Sequence, residues 1–210
     1  MNYRLSLSIT LWAAVAFLSS AVPWSIIIGR LSGRDDIRAV GDHNPGAFNV
    51  LRAAGPAWFL LAVLLDGFKA AIPVGLAWYA FRINSWAIVP IALASVVGHA
   101  FSPLLRFRGG KAVASTFGLW TGLTLGVGPT LMGLLLLLMY NVVAVSGWAI
   151  VLVMLSWGGF VVWYYGPVHP PFVGVWAANL ALLLWTHRSD LRQLPGLHPR
   201  LLRLLKRGRS

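Results

Sequence analysis

Between Ser102 and Ser115 the chain reads S-P-L-L-R-F-R-G-G-K-A-V-A-S, with Arg106, Arg108 and Lys111 flanking Gly109 and Gly110. Adjacent glycines tolerate positive φ and let an anion approach main-chain amides with no Cβ in the way. A helix starting just after them aims its unpaired N–H groups and the positive end of its dipole at the same point. The chemistry this implies is phosphate binding at a membrane surface. The stretch also fits a plainer reading, a basic connection that keeps its cations on the cytoplasmic side of two spans.

Two other polar stretches carry similar residues. From Gly29 to Gly55, Arg38 and Arg52 alternate with Asn44 and Asn49 among Gly33, Gly41 and Gly46. Long ordered loops are usually functional, and arginines set among amides and glycines suit a bound anion. Such arginines also serve as topology charges or headgroup contacts. The third stretch, Thr186 to Leu194, holds His187, Arg188 and Asp190 at the exit of an apolar run, where a basic pair is often only an interfacial anchor. His198 to Ser210 follows, with leucine pairs at helical intervals and a basic opposite face. That pattern is an amphipathic helix lying on anionic headgroups.

Apolar elements must position these stretches. The 210-residue chain is 58% hydrophobic and only 10% charged, where a soluble domain carries about a quarter charged residues. It therefore reads as an all-α integral membrane protein, one membrane domain over 1–210. Seven apolar segments run roughly over 7–29, 56–81, 86–105, 112–127, 129–146, 147–164 and 172–186. The fourth to seventh are short beside the ~20 residues a full span needs. The first, long and preceded by a single basic residue, fits a retained span better than a cleaved leader. With the N-terminus outside and the C-terminus cytoplasmic, 30–55, 106–111 and 187–210 face the cytoplasm. Of the 17 Lys and Arg residues, only Arg4, Arg82 and the intramembrane Lys69 then lie elsewhere, which obeys the positive-inside rule.

Several chemistries are excluded or disfavoured. There is no cysteine and no glutamate, and Asp35, Asp36, Asp42, Asp66 and Asp190 are all the acids. Thiolate catalysis is out, carboxylate metal clusters lack material, and the scattered histidines have no metal-ligand spacing, so no metal is expected. The net charge of +12 serves topology and anionic lipids rather than nucleic acid. Asp66 and Lys69 stand three apart inside the second segment, and an internal ion pair is a better reading than a catalytic role. His99, near the cytoplasmic end of the third segment, suits a bundle hydrogen bond or catalysis.

The three stretches, in this order, resemble the acyl-phosphate-dependent glycerol-3-phosphate acyltransferases of bacterial membranes, the PlsY type. That family's Gly-Ser-Gly-Asn-x-Gly-Ala-Thr-Asn is matched by G-D-H-N-P-G-A-F-N over Gly41 to Asn49, with Arg52 downstream. Its Gly-His-x-Phe-Pro-x-Phe-x-x-Phe-Lys-Gly-Gly-Lys-Gly-Val-Ala-Thr is matched over Gly98 to Ser115, and its His-Arg-x-Asn-Ile-x-Arg-Leu loosely over His187 to Leu194. An Asp-x-x-Lys like the family's stands at Asp66 and Lys69.

The resemblance implies a seven-helix enzyme of the bacterial inner membrane with its site on the cytoplasmic side. It would move a fatty acyl group from acyl phosphate to the 1-hydroxyl of glycerol 3-phosphate, giving lysophosphatidic acid and phosphate with no cofactor. The positions then expected to be catalytic are Asp42, His43, Asn44, His99, Lys111 and His187. Those expected to bind substrate are Arg38, Asn49, Arg52, Arg108, Gly109, Gly110, Ser115, Arg188 and Asp190.

Five positions depart from the motifs: Asp42 stands for serine, His43 and Ala112 for glycines, Phe48 for threonine and Asp190 for asparagine. An aspartate facing a phosphate repels it unless His43, Arg38 or Arg52 neutralises the charge. A paralogue with another acceptor therefore stays open, as does a non-enzymatic lipid-binding or transport protein. Against transport, the polar residues gather at one face and no internal repeat is visible.

Overall fold

The computed structural model describes residues 3–34, 36–199 and 201, and the regular elements among them are helical. The chain forms two compact units, one reaching Gly126 and one starting at Val127.

In the first unit, helices α1 (Tyr3–Ala21) and α2 (Trp24–Leu31) are one apolar stretch interrupted at Pro23. Proline has no N–H and its ring displaces the carbonyl one turn back. Inside a membrane, every carbonyl freed this way needs another donor. The donors are present: Ser102 Oγ donates to the Ala21 carbonyl at 2.5 Å and Lys69 Nζ to the Val22 carbonyl at 2.6 Å. In return, the hydroxyls of Ser19 and Ser20 donate to the Lys69 carbonyl.

Helix α3 (Ala47–Ala54) leads into α4 (Pro56–Gly75), which continues through a π-turn to Ala80; α5 (Ile88–Ala100) and α6 (Val113–Thr124) follow. Helix α4 is the hub, packed against α1, α2, α3, α5 and α6. Its contact with α6 runs backbone to backbone. A Cβ on Gly118 would overlap the Gly67 carbonyl, and one on Gly122 would press on the Ala71 carbonyl and the Gly75 nitrogen. Small residues four apart on both helices permit this approach, the usual device where lipid offers no hydrophobic drive to associate. Beneath the first polar loop, Ile26, Ile28, Ile37, Val50 and Ala62 form a buried cluster that seats it on the helices.

The second unit holds α7 (Val127–Val142), α8 (Ser146–Phe160, extended by a π-turn to Tyr165), α9 (Pro171–Thr186) and the short α10 (Arg188–Leu191). Residues 196–198 return along the α7–α8 junction: the Ala144 N–H donates to Gly196 and the His198 N–H to Val142. The amphipathic helix expected from His198 onward falls mostly on residues 200 and 202–210, outside the described residues.

Among the described residues, four helical stretches are long and apolar enough to cross a membrane: Ser6–Leu31, Pro56–Ala80, Ile88–Leu105 and Ser146–Tyr165. The segments expected at 112–127, 129–146 and 172–186 form shorter helices, Val113–Thr124, Val127–Val142 and Pro171–Thr186. The sixth, expected to be short, reaches 20 residues because the π-turn carries it through Tyr165. The fourth and fifth segments part at Leu125 and Gly126, which both take positive φ.

Candidate active site

Lys111 leaves a segment that packs against the C-terminal end of α5. The N–H of Gly109 donates to the Ala100 carbonyl (3.1 Å) and that of Gly110 to the His99 carbonyl (3.2 Å). Both amides thus have main-chain partners at the end of α5. Neither glycine is among the residues at positive φ; Arg106, Phe107 and Ala112 are, at 52°, 60° and 63°. The glycines are required by contact instead: a Cβ at Gly109 would overlap the His99 carbonyl, and one at Gly110 the His99 ring. Close packing against α5 brings Lys111 to the mouth of the first loop.

That loop folds around Asn49, which is 1% exposed. Asn49 Nδ2 donates to the Asn44 carbonyl at 2.8 Å, and its Oδ1 accepts from Arg52 Nη1 at 2.7 Å. Gly41 turns at φ 64° against Asn49 and Arg52, where a side chain would collide with both. His43 takes φ 59°, a region histidine enters more readily than most residues. Its ring Nδ1 lies 2.8 Å from the Arg38 carbonyl.

Asp42 joins the two loops. Its Oδ2 is 2.9 Å from Lys111 Nζ, and its Oδ1 is 4.0 Å from Arg52 Nη1. The same Oδ1 accepts from Asn49 Nδ2 (3.2 Å) and the Asn44 N–H (3.3 Å). Partial burial alone would raise this carboxyl; the Lys111 hydrogen bond and charge, with the loop amides, outweigh it and hold the carboxyl below its ordinary value. The partner expected from sequence was His43, Arg38 or Arg52. The structure makes it chiefly Lys111, because Arg38 is turned away in an exposed pair with Asp36, 2.7 Å apart. The Asp36 carboxyl is lowered by its hydrogen bonds to Arg38.

Beneath the glycine pair lies a buried polar cluster. Lys69 Nζ is 2.6 Å from Asp66 Oδ1, the expected i,i+3 pair, and Ser25 Oγ donates to Asp66 Oδ2 at 2.5 Å. His99, 7% exposed, sets its Nδ1 3.7 Å from Asp66 Oδ1. Ser115 is fully buried and donates to the Asp66 carbonyl at 3.1 Å. It pins α6 to α4. Ser25 and Ser102 were not singled out by sequence reasoning. The signal was Pro23 inside an apolar run, since such a break calls for donors elsewhere.

In the second unit, His187 is 2% exposed, with Nδ1 2.9 Å from the Leu183 carbonyl. The Thr186 hydroxyl lies 3.2 Å from the same nitrogen. Arg188 donates to the Trp185 carbonyl at 2.8 Å and stacks over the Trp185 ring at 4.7 Å, the anchor arrangement. Asp190 lies against Ser146 and Gly147 at the start of α8, where a carboxylate favours the positive helix end. Both were expected to bind substrate, and both have partners within the chain. Arg108 is exposed, beside Leu104 and Phe107, themselves 66% and 64% exposed.

A helical membrane fold with cations from two loops gathered on one exposed anion position defines a class: integral membrane enzymes acting on phosphorylated substrates. The family model described as "Glycerol-3-phosphate acyltransferase" matches residues 10–195, and the chain belongs to that family. It is 33% identical to a glycerol-3-phosphate acyltransferase of Erythrobacter litoralis over 92% of this chain and 94% of that one. It is 34% identical to the Desulfovibrio desulfuricans enzyme over 88% and 80%, and 45% identical to glycerol-3-phosphate acyltransferase 1 of Thermotoga maritima over 55% and 57%. Among solved structures, it resembles PlsY (YgiH), an integral membrane glycerol 3-phosphate acyltransferase, in its glycerol 3-phosphate form. That match has a TM-score of 0.79 at 27% identity, covering 94% of this chain and 98% of that chain. The lysophosphatidic acid form matches with a TM-score of 0.76 at 26% identity, over 88% and 90%.

Proposed function

We propose that this protein transfers a fatty acyl group from acyl phosphate to the 1-hydroxyl of glycerol 3-phosphate. The work is done at the bacterial inner membrane, with loops 30–55 and 106–111 on the cytoplasmic side. One observation carries the reading: Lys111 and Arg52, on separate loops, address the same exposed carboxylate together with the buried Asn49 amide. Donors that surround a carboxylate in this way also suit a phosphate. The exposed Leu104 and Phe107 beside Arg106 and Arg108 suit contact with acyl chains, with the cations at headgroup level.

In the reaction the acceptor oxygen bonds to the acyl carbon and the carbon–oxygen bond to phosphate breaks. The hydroxyl proton passes to a phosphate oxygen, since phosphate is a good leaving group and itself a base. The protein's part is to position two anions and to stabilise the charge that develops on carbonyl and leaving group. Lys111 is the principal cation for this, supported by Arg52 and Asn49. Asn44 shapes the loop through its carbonyl and N–H. His99 backs the Gly109–Gly110 segment that carries Lys111.

The test is phosphate release from palmitoyl phosphate by the purified protein, with and without glycerol 3-phosphate, and mass analysis of the lipid formed. Release that depends on the acceptor and yields lysophosphatidic acid is the expected result. Release that ignores the acceptor, or none at all, overturns the reading.

A further inference from the structure

The cations proposed to hold substrate phosphate already hold an anion of the chain's own. Asp42 offers two carboxylate oxygens, one to Lys111 and one to Arg52, Asn49 and the Asn44 N–H. This is how a bound phosphate would be met: an ammonium on one oxygen, amide donors on another, and a guanidinium charge 4.0 Å away. We propose that Asp42 is an internal competitor for substrate, its carboxylate occupying the phosphate position between Lys111 and Arg52, so that a substrate phosphate binds by displacing it. The inference rests on the proposed function for the identity of that phosphate, but its physical content concerns the anion position alone.

Three features make Asp42 a displaceable occupant rather than a fixed brace. Its side chain is 43% exposed, against 20% for Lys111, so water replaces its partners when it turns out. It stands between two residues at positive φ, Gly41 and His43, at the tip of a turn whose base is anchored by the buried Asn49 and the Ile37–Val50 cluster. A rotation of the Asp42 side chain therefore clears the position with that anchor in place. Finally, its contact with Arg52 is an exposed ion pair at 4.0 Å, of the kind that contributes little, and its single negative charge meets Lys111 through one oxygen, so a dianion outcompetes it. The serine of the family motif, being neutral, competes with nothing. Asp42 thus lowers affinity for every phosphate, and it selects against weakly held anions.

A role as general base fits the geometry less well. A carboxylate paired with an ammonium at 2.9 Å and held below its ordinary value is a poor proton acceptor near neutrality.

The experiment is calorimetric titration of the full-length protein in detergent with inorganic phosphate and, separately, with glycerol 3-phosphate. The proteins compared are wild type, Asp42→Asn, Asp42→Ser and Lys111→Ala. Asp42→Asn keeps the side-chain shape and an oxygen for the Asn44 and Asn49 donors while removing the charge. It should bind inorganic phosphate about threefold to tenfold more tightly than wild type, and Asp42→Ser should follow it. Lys111→Ala should bind more weakly than wild type. In turnover, Asp42→Asn should lower KM for the phosphorylated acceptor without raising kcat. Thermal unfolding of each variant shows whether it is folded, and two substitutions at Asp42 guard against one failing. Unchanged or weaker phosphate binding in the folded Asp42 variants overturns the proposal, as does phosphate binding by none of the proteins. If Asp42→Asn tightens phosphate binding while no protein acylates glycerol 3-phosphate, the competitor stands and the proposed reaction falls.

Discussion

The Lys69 ammonium donates to the main-chain carbonyl of Val22 at 2.6 Å while holding Asp66 at the same distance. One buried cation therefore serves two needs: it neutralises a carboxylate inside the helices, and it satisfies a carbonyl freed by Pro23. Lys69→Met removes both services and leaves Asp66 buried without its cation. Breaking such a pair from one side costs about 3–5 kcal/mol. A large fall in the unfolding temperature in detergent is expected. The double substitution Asp66→Asn with Lys69→Met should recover part of the loss, and a single variant as stable as wild type would show that the pair holds nothing.

Helices α4 and α6 touch through glycine backbones, and Gly118→Leu should force them apart at a cost of about 1–3 kcal/mol. The control is Gly159 in α8, with open space where a Cβ would stand. Gly159→Ala should be neutral or raise stability by up to about 1 kcal/mol through helix propensity. Parallel thermal denaturation of the two variants decides the matter.

Both glycines missing from the family motifs were replaced at left-handed positions, His43 at φ 59° and Ala112 at φ 63°. The backbone kept the shape a glycine allows while the side chain changed. Left-handed geometry costs a non-glycine about 1–2 kcal/mol, partly offset in comparison by the greater chain entropy glycine loses on folding. Ala112→Gly should therefore stabilise the protein by about 0.5–1 kcal/mol. His43→Gly should gain less, because it also removes the ring contact with the Arg38 carbonyl. Unfolding midpoints that rank the variants the other way would contradict this account.

Lys111→Ala should reduce kcat/KM by about tenfold to a hundredfold, the worth of one charge-assisted hydrogen bond. Arg34→Ala removes an exposed cation elsewhere in the first loop and should change the rate by no more than about twofold. Equal losses would mean that the cations act only as a general anchor. The Asp42 carboxyl titrates below its ordinary value in the folded protein. The stability of its pair is therefore present above about pH 4, the unfolded value, and disappears as pH falls through the lower folded value.

Orientation can be read with single cysteines, since the chain has none of its own. Ser32, Arg108 and Ser189 suit the purpose, whereas Gly109 cannot accept a Cβ beside the His99 and Ala100 carbonyls. All three should react with a membrane-impermeant thiol reagent only after the cells are opened. Labelling of any one in intact cells would reverse the proposed topology.

The sequence by itself determined what is local. Apolar runs marked the helices, and i,i+3 spacing paired Asp66 with Lys69, because periodicity and composition act over a few residues. It also brought out the three polar stretches and the five departures from the family motifs. Only the tertiary structure decided what those stretches touch. That the end of α5 accepts the N–H groups of Gly109 and Gly110 is visible only in the fold. So is the position of Asp190 against the start of α8. The sequence offers Arg52 among the neutralising partners of Asp42, and Arg52 is one of them; Lys111, which lies closer, comes from another stretch of the chain. A hydrogen bond between two loops depends on how the helices beneath them pack, and here that packing runs through Gly67, Gly118 and Gly122, whose lack of side chains lets the backbones meet.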